Sequence, residues 1–165
     1  LAAAAGGIGA ASFALARYKN FDLTMFMNGV LGGLVGITAG ADQMGPTDAI
    51  IIGLIAGVIV VLAISFMDKV KLDDPVGAVA VHLFCGMWGT LAVGLFGALQ
   101  GFDQFMVQLA GVGIIGAFCV ISTLILVLIV KAVAGLRVSE EEELKGLDSS
   151  EHGMDAYADF RLNQH

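Results

Sequence analysis

The chain has 165 residues, 58% of them hydrophobic and 14% charged, with a mean hydropathy of +0.89. That is too apolar for a soluble domain and puts the chain in the membrane class. The net charge of −7 belongs mainly to the C-terminal end, where eight of the fifteen acids fall within residues 140–165, and it argues against nucleic acid as a partner.

A helix needs roughly 20 mostly apolar residues to cross the hydrocarbon of a bilayer. Five runs qualify, at about 1–16, 23–41, 49–67, 76–99 and 105–134. The expected fold is therefore all-α, a polytopic membrane helix bundle with five transmembrane helices, followed by a tail over 135–165. The first run is short and has no basic leader of the kind a secretory signal carries. It reads as a helix continuing from upstream protein. The last run is long, and a long span need only tilt.

Turn and cap residues separate the runs. Gly45-Pro46-Thr47-Asp48 precedes the third, and Asp73-Asp74-Pro75 precedes the fourth, where Asp74 suits a helix cap and Pro75 a first helical position. Arg17 and Lys19 follow the first run, Lys69 and Lys71 the third, and Lys131, Arg137, Lys145 and Arg161 end or follow the fifth. The breaks after the second and fourth runs hold only acids, Asp42, Asp48 and Asp103. The positive-inside rule then predicts a cytoplasmic C-terminus.

Small residues recur at four-residue spacing, as Gly29/Gly33, Gly32/Gly36, Gly36/Gly40 and Gly53/Gly57, which predicts close backbone approach between helices. Cys85 and Cys119 both lie in apolar runs and read as buried small hydrophobes, not as a disulfide or a metal pair.

His82 is the ionisable residue placed well inside a run, and such a group in a membrane is a functional candidate because lipid offers it no partner. At α-helical spacing its face holds Ala78, Cys85, Gly86 and Gly89, all small. Two readings stand. In one, Ala78, His82 and Gly86 line a narrow lumen, where the ring nitrogens can donate or accept a hydrogen bond to a small polar solute. In the other, His82 makes one interhelical hydrogen bond and the small residues accommodate a neighbour. Trp88 and Phe84 lie off this face and read as packing residues, and Asn28 and Thr38 as interhelical hydrogen-bonders. In the tail, Ser139 and Glu142 have capping-box spacing, although four consecutive glutamates also fit a plain solvated face. No nucleotide, zinc-protease or Ser/His/Asp pattern is present, so nothing points to an enzyme, a cofactor or a bound metal.

Three stretches carry a resemblance: NGVLGGLVGITAG at 28–40, DKVKLDDPVGAVAVHLFCGMWGTLAVGLF at 68–96, and GLRVSEEEELKGLDSSEHGMDAY at 135–157. With them the chain resembles the Amt/Mep/Rh ammonium transporters, most closely the bacterial Amt branch. The resemblance implies that the five runs are the last five helices of an eleven-helix fold in the cell (plasma or inner) membrane. It implies homotrimers with one pore per subunit. His82 would be the second of two pore histidines, the first belonging to the other inverted half, as do the outer aromatic site and the phenylalanine gate. The implied activity is ammonium transport in nitrogen uptake: ammonium is stripped of water and a proton, and ammonia passes the histidines. The implied tail is regulatory, meeting PII-type signal proteins through the segment holding Arg137, Ser139, Glu140, Asp148, Ser150, His152, Gly153 and Tyr157, with Ser150 where some relatives carry a phosphorylated threonine. Ala41-Asp42-Gln43 departs from the cysteine-containing loop of many relatives. Two alternatives remain open: an ammonium sensor signalling through the tail, and a non-conducting membrane scaffold.

Overall fold

The computed structural model describes residues 1–156; Tyr157, named above, lies outside the described residues. The helices are, in chain order, α1 (Ala2–Tyr18), α2 (Leu23–Thr38), α3 (Pro46–Lys69), a π-helical segment (Val79–Phe84) running into α4 (Cys85–Ala92), α5 (Phe102–Val133), α6 (Glu140–Lys145) and α7 (Leu147–Glu151). No strand occurs among the described residues. Contacts divide the chain into two units, Leu1–Ala117 and Phe118–His165.

Local chemistry sets the helix ends. Asp22 opens α2 by accepting the Met25 N–H at 2.8 Å, a donor that the helix itself leaves unpaired. Pro46 opens α3, while the Asp48 carboxylate accepts the Gly45 N–H at 3.0 Å. Lys19 closes α1 in the left-handed conformation, φ 59°, its N–H returning to the Leu15 carbonyl.

α1 packs on both α2 and α3, and α2 also meets α3 and α4. In lipid, packing gains dispersion rather than escape from water, about 0.1–0.2 kcal/mol per atom pair, so the distance of approach decides. Here it is set by glycine. A methyl group on Gly6 would overlap the Gly29 carbonyl oxygen, one on Gly57 the Gly6 carbonyl, and one on Gly33 or Gly53 the Ala2 carbonyl. Two small cores complete the packing. Ala56, Val60, Val81 and Cys85 are buried beneath Val35, Ile59, Ile64 and Trp88, and Ala10, Ala14 and Val61 beneath Phe13 and Met25.

The fourth run departs most from its expected limits of 76–99. Helix occupies 78–92, and residues 93–99 form turns. Gly94 lies so close to the backbone of Phe105 that a side chain would overlap it, and Gly97 has φ +77°. The chain folds back there because only glycine supplies both the room and the conformation. α3 and α5, by length and composition, can each cross a membrane. At 32 residues, α5 is about 48 Å long, more than a bilayer core needs, which tilting absorbs. No residue of α5 is buried, and Cys119 is exposed, unlike the buried position its apolar run suggests.

Candidate functional site

The segment that carries His82 starts from a turn. Asp74-Pro75-Val76-Gly77 is closed by the Gly77 N–H on the Asp74 carbonyl at 3.1 Å. Pro75 therefore sits at the second position of a β-turn, where its fixed φ fits, and not at the first helical position expected from sequence. Gly77 completes the turn at φ +73°. Asp74 caps from farther back than a standard N-cap: its two carboxylate oxygens accept the Val79 and Ala80 N–H groups, each at 3.1 Å. These open a π-helical turn, in which each hydrogen bond spans one residue more than in an α-helix.

That extra residue changes which side chains share a face. Ala78 and His82 are exposed and Gly86 is half-buried, so these three occupy the side of the segment left open by the other described helices. Cys85 is fully buried, its thiol 3.5 Å from the Ala56 carbonyl, and Gly89 lies against the Gly36 backbone. The α-helical spacing that grouped Cys85 and Gly89 with His82 is thus corrected by the π register. The His82 side chain makes no hydrogen bond among the described residues, so the interhelical bond of the bland reading is absent there.

Trp88 is a packing residue, as expected, with its indole N–H donating to the Ile52 carbonyl at 3.1 Å and its ring edge-on to Phe96. Phe84 stacks edge-on with Phe66. Thr38 bonds back to the Leu34 carbonyl within its own helix at 2.7 Å, since a helical threonine hydroxyl reaches the i−4 carbonyl without any partner helix. Asn28 is buried at 6% exposure and makes no interhelical hydrogen bond among the described residues.

In the sequence Gln43 is marked only as part of a divergent loop. Its carbonyl accepts the Ala98 N–H at 3.2 Å and its amide oxygen the Leu99 N–H at 2.9 Å. The loop after α2 is thereby stitched to the turn after α4. Nothing local marks a glutamine for a partner 56 residues away.

In the second unit, Ser139 and Glu142 form the capping box that their spacing predicts: the Ser139 hydroxyl accepts the Glu142 N–H at 3.3 Å, and the Glu142 carboxylate accepts the Ser139 N–H at 2.9 Å. Bonds from the Ser139 hydroxyl and N–H hold the Glu142 carboxyl below its ordinary range. Glu140 begins α6. Arg137 meets Glu143 at 3.9 Å, both largely in solvent, a contact of little energetic weight. Asp148 organises the rest. It accepts the Ala156 N–H at 2.8 Å through its carboxylate and the His152 N–H at 3.1 Å through its carbonyl. The Ala156 and then the Ser149 N–H groups depress its pKa. The Ser150 hydroxyl donates to the Gly146 carbonyl at 3.1 Å, and Gly153 turns the chain at φ +69°.

Glycine contacts join α1, α2 and α3, and two helices, α3 and α5, are long and apolar enough to cross a bilayer, as in all-helical membrane proteins. Comparison with known proteins narrows the class. The model of the Ammonium Transporter Family matches residues 1–157, and the chain belongs to that family. It is 38% identical over 177 residues to ammonium transporter Amt2 of Archaeoglobus fulgidus, covering 97% of this chain and 38% of that one. Against Amt2 of Methanocaldococcus jannaschii it is 39% identical over 162 residues, or 95% of this chain and 37% of the relative. Among solved structures, a sensor Amt protein superposes with a TM-score of 0.86 at 34% identity, over 91% of this chain and 39% of that one. Mep2 of Saccharomyces cerevisiae gives 0.77 at 26%, over 85% of this chain and 36% of its own. The chain thus spans less than two-fifths of the length of each of these relatives. The named relatives are transporters, not enzymes.

Proposed function

We propose that the protein conducts ammonium across the cell membrane, and that the face carrying Ala78, His82 and Gly86 lines the path. The observation carrying this reading is the imidazole on the open side of a capped π-helical segment, in a chain of the ammonium transporter family. An uncharged imidazole offers one donor and one acceptor to a passing solute. Small neighbours leave it room. Ammonium can shed its charge by losing a proton to become ammonia, which sodium and potassium cannot do, so an apolar passage selects it through the cost of burying charge. The partner histidine and outer site belong, in the family's arrangement, to the earlier helices.

The basic residues at the ends of α1 and α3 support a cytoplasmic placement of those ends and of the tail. On this reading five helices cross the membrane, the protein works as a homotrimer, and the ordered segment from Arg137 to Ala156 meets a PII-type partner. A sensing role is the second reading, and the likeness to the sensor Amt protein is what supports it.

Methylammonium uptake into liposomes by the protein tests both. Uptake that changes on replacing His82 with Ala, while assembly is retained, is the expected result. Ligand-linked partner binding without flux supports the sensor. A His82→Ala protein that fails to assemble, with no separate effect on uptake, returns the histidine to a structural role.

A further inference from the structure

A cavity of about 280 Å³ opens where α1 finishes, α2 starts and α3 finishes, lined by Tyr18, Asn20, Asp22, Met25, Ser65 and Asp68. One hydrogen bond ties two of its walls together. The Ser65 hydroxyl donates to the Val61 carbonyl of its own helix at 2.8 Å, so the 2.5 Å bond between Tyr18 and Ser65 is donated by the Tyr18 hydroxyl. The phenol oxygen keeps its lone pairs. Asp22 gives one carboxylate oxygen to the Met25 N–H, and the Asp68 carboxylate has no ion pair or hydrogen bond among the described residues. The lining therefore offers acceptors to a guest and no basic side chain.

The rim has the opposite sign. Arg17 and Lys19 flank Tyr18 in the chain and Lys69 follows Asp68; all three are exposed, and none makes an ion pair among the described residues. The Arg17 guanidinium lies over the Tyr18 ring, 5.8 Å from its centroid, which keeps the cation beside the cavity wall. Beyond the rim the surface is hydrocarbon. Leu62 and Phe66 are exposed and share a helical face with Lys69, and Leu15 is exposed on α1. Acceptors, cations and apolar side chains thus follow one another over a short distance at one end of a membrane-embedded bundle.

We infer that this end of the bundle binds a phospholipid with a primary-amine headgroup, of the phosphatidylethanolamine kind. Its ammonium enters the acceptor-lined cavity toward Asp68, and its phosphate meets Arg17, Lys19 and Lys69. Its acyl chains run along the exposed face of Leu62 and Phe66. A guanidinium fork matches phosphate oxygens in pairs, and a lysine stem lies on apolar surface while its head reaches the same group. A choline headgroup has no N–H to donate to the cavity, and a glycerol headgroup brings no charge to offset Asp68. The inference needs only a membrane-embedded bundle, so it stands or falls apart from the transport and sensing readings.

Native mass spectrometry of the delipidated protein in detergent is the test, with titration by phosphatidylethanolamine, phosphatidylcholine and phosphatidylglycerol of matched acyl chains. Phosphatidylethanolamine is expected to bind about tenfold more tightly than phosphatidylcholine, the weight of one charge-assisted hydrogen bond. Asp68→Asn, isosteric and at an exposed position, should abolish that preference and leave phosphatidylcholine binding as it was, which also shows that the variant is folded. Arg17→Gln with Lys69→Gln should weaken all three lipids about tenfold, through the phosphate they share. Lys145→Gln, in the tail, should change nothing. Equal binding of the ethanolamine and choline lipids by the unaltered protein overturns the inference, as does a preference that survives Asp68→Asn. Tightest binding of phosphatidylglycerol overturns the amine assignment. Displacement of the lipid by free phosphoethanolamine at an equal concentration overturns the assignment to a lipid.

Discussion

The helices of residues 1–92 and the tail of residues 137–156 are ordered by different forces. The bundle is held by backbone contacts at glycine and by small apolar cores, with few charges inside. The tail has no buried residue in α6 or α7 and is ordered by capping bonds to carboxylates. Steric fit is indifferent to pH and salt and intolerant of added volume. Capping bonds tolerate volume and depend on ionisation.

The contrast is broken most severely by volume in the bundle. Gly57→Leu, which must displace the Gly6 backbone, is expected to cost about 3 kcal/mol or more, read as loss of folded protein on titration with denaturing detergent. A Gly153→Ala change strains the tail's own turn at φ +69° but, with nothing packed against that position, should leave the same titration unmoved.

Next comes the place where the bundle borrows the tail's chemistry. Asp74→Ala leaves the Val79 and Ala80 N–H groups without their acceptor, at a cost of about 1–2 kcal/mol. Hydrogen exchange at those two amides should accelerate, and conduction should change through the altered register of His82. Gln43→Leu removes the acceptor of Leu99 and should cost about 1 kcal/mol in the same detergent titration. His82→Ala, at an exposed position, should alter stability by less than about 0.5 kcal/mol, so that its effect on flux is read cleanly.

The smallest effect is confined to the tail. Glu142 and Asp148 have folded pKa values below their ordinary 4.5 and 3.8. Their contribution to tail order is complete above those ordinary values and is lost as the pH falls through the depressed folded values. Amide exchange at Ser139 and Ala156 should therefore rise on acidification below about pH 4 while the bundle amides stay protected. Equal loss in both regions would erase the distinction drawn here.

Much of this was legible in residues 1–156. Apolar runs marked where helices lie, though the fourth helix ends at 92 and not at 99, four-residue glycine spacing anticipated the contacts at Gly29, Gly33, Gly53 and Gly57, and Ser139 with Glu142 announced their own cap. Each depends on neighbours within one or two helical turns. The composition alone established a membrane protein, and the quoted stretches placed its family. The tertiary fold decided the rest. Whether the helix at His82 takes the π register depends on two N–H groups finding the Asp74 carboxylate from beyond a turn, so the face shared by Ala78, His82 and Gly86 could not be separated from Cys85 by counting. Gln43 reaches across 56 residues, and Asn28 comes to line one cavity with Asp68 and Asp73 only when three elements converge. Short-range periodicity records what a residue needs from its own helix; which distant groups answer an amide or a carboxylate is fixed only once the helices are packed.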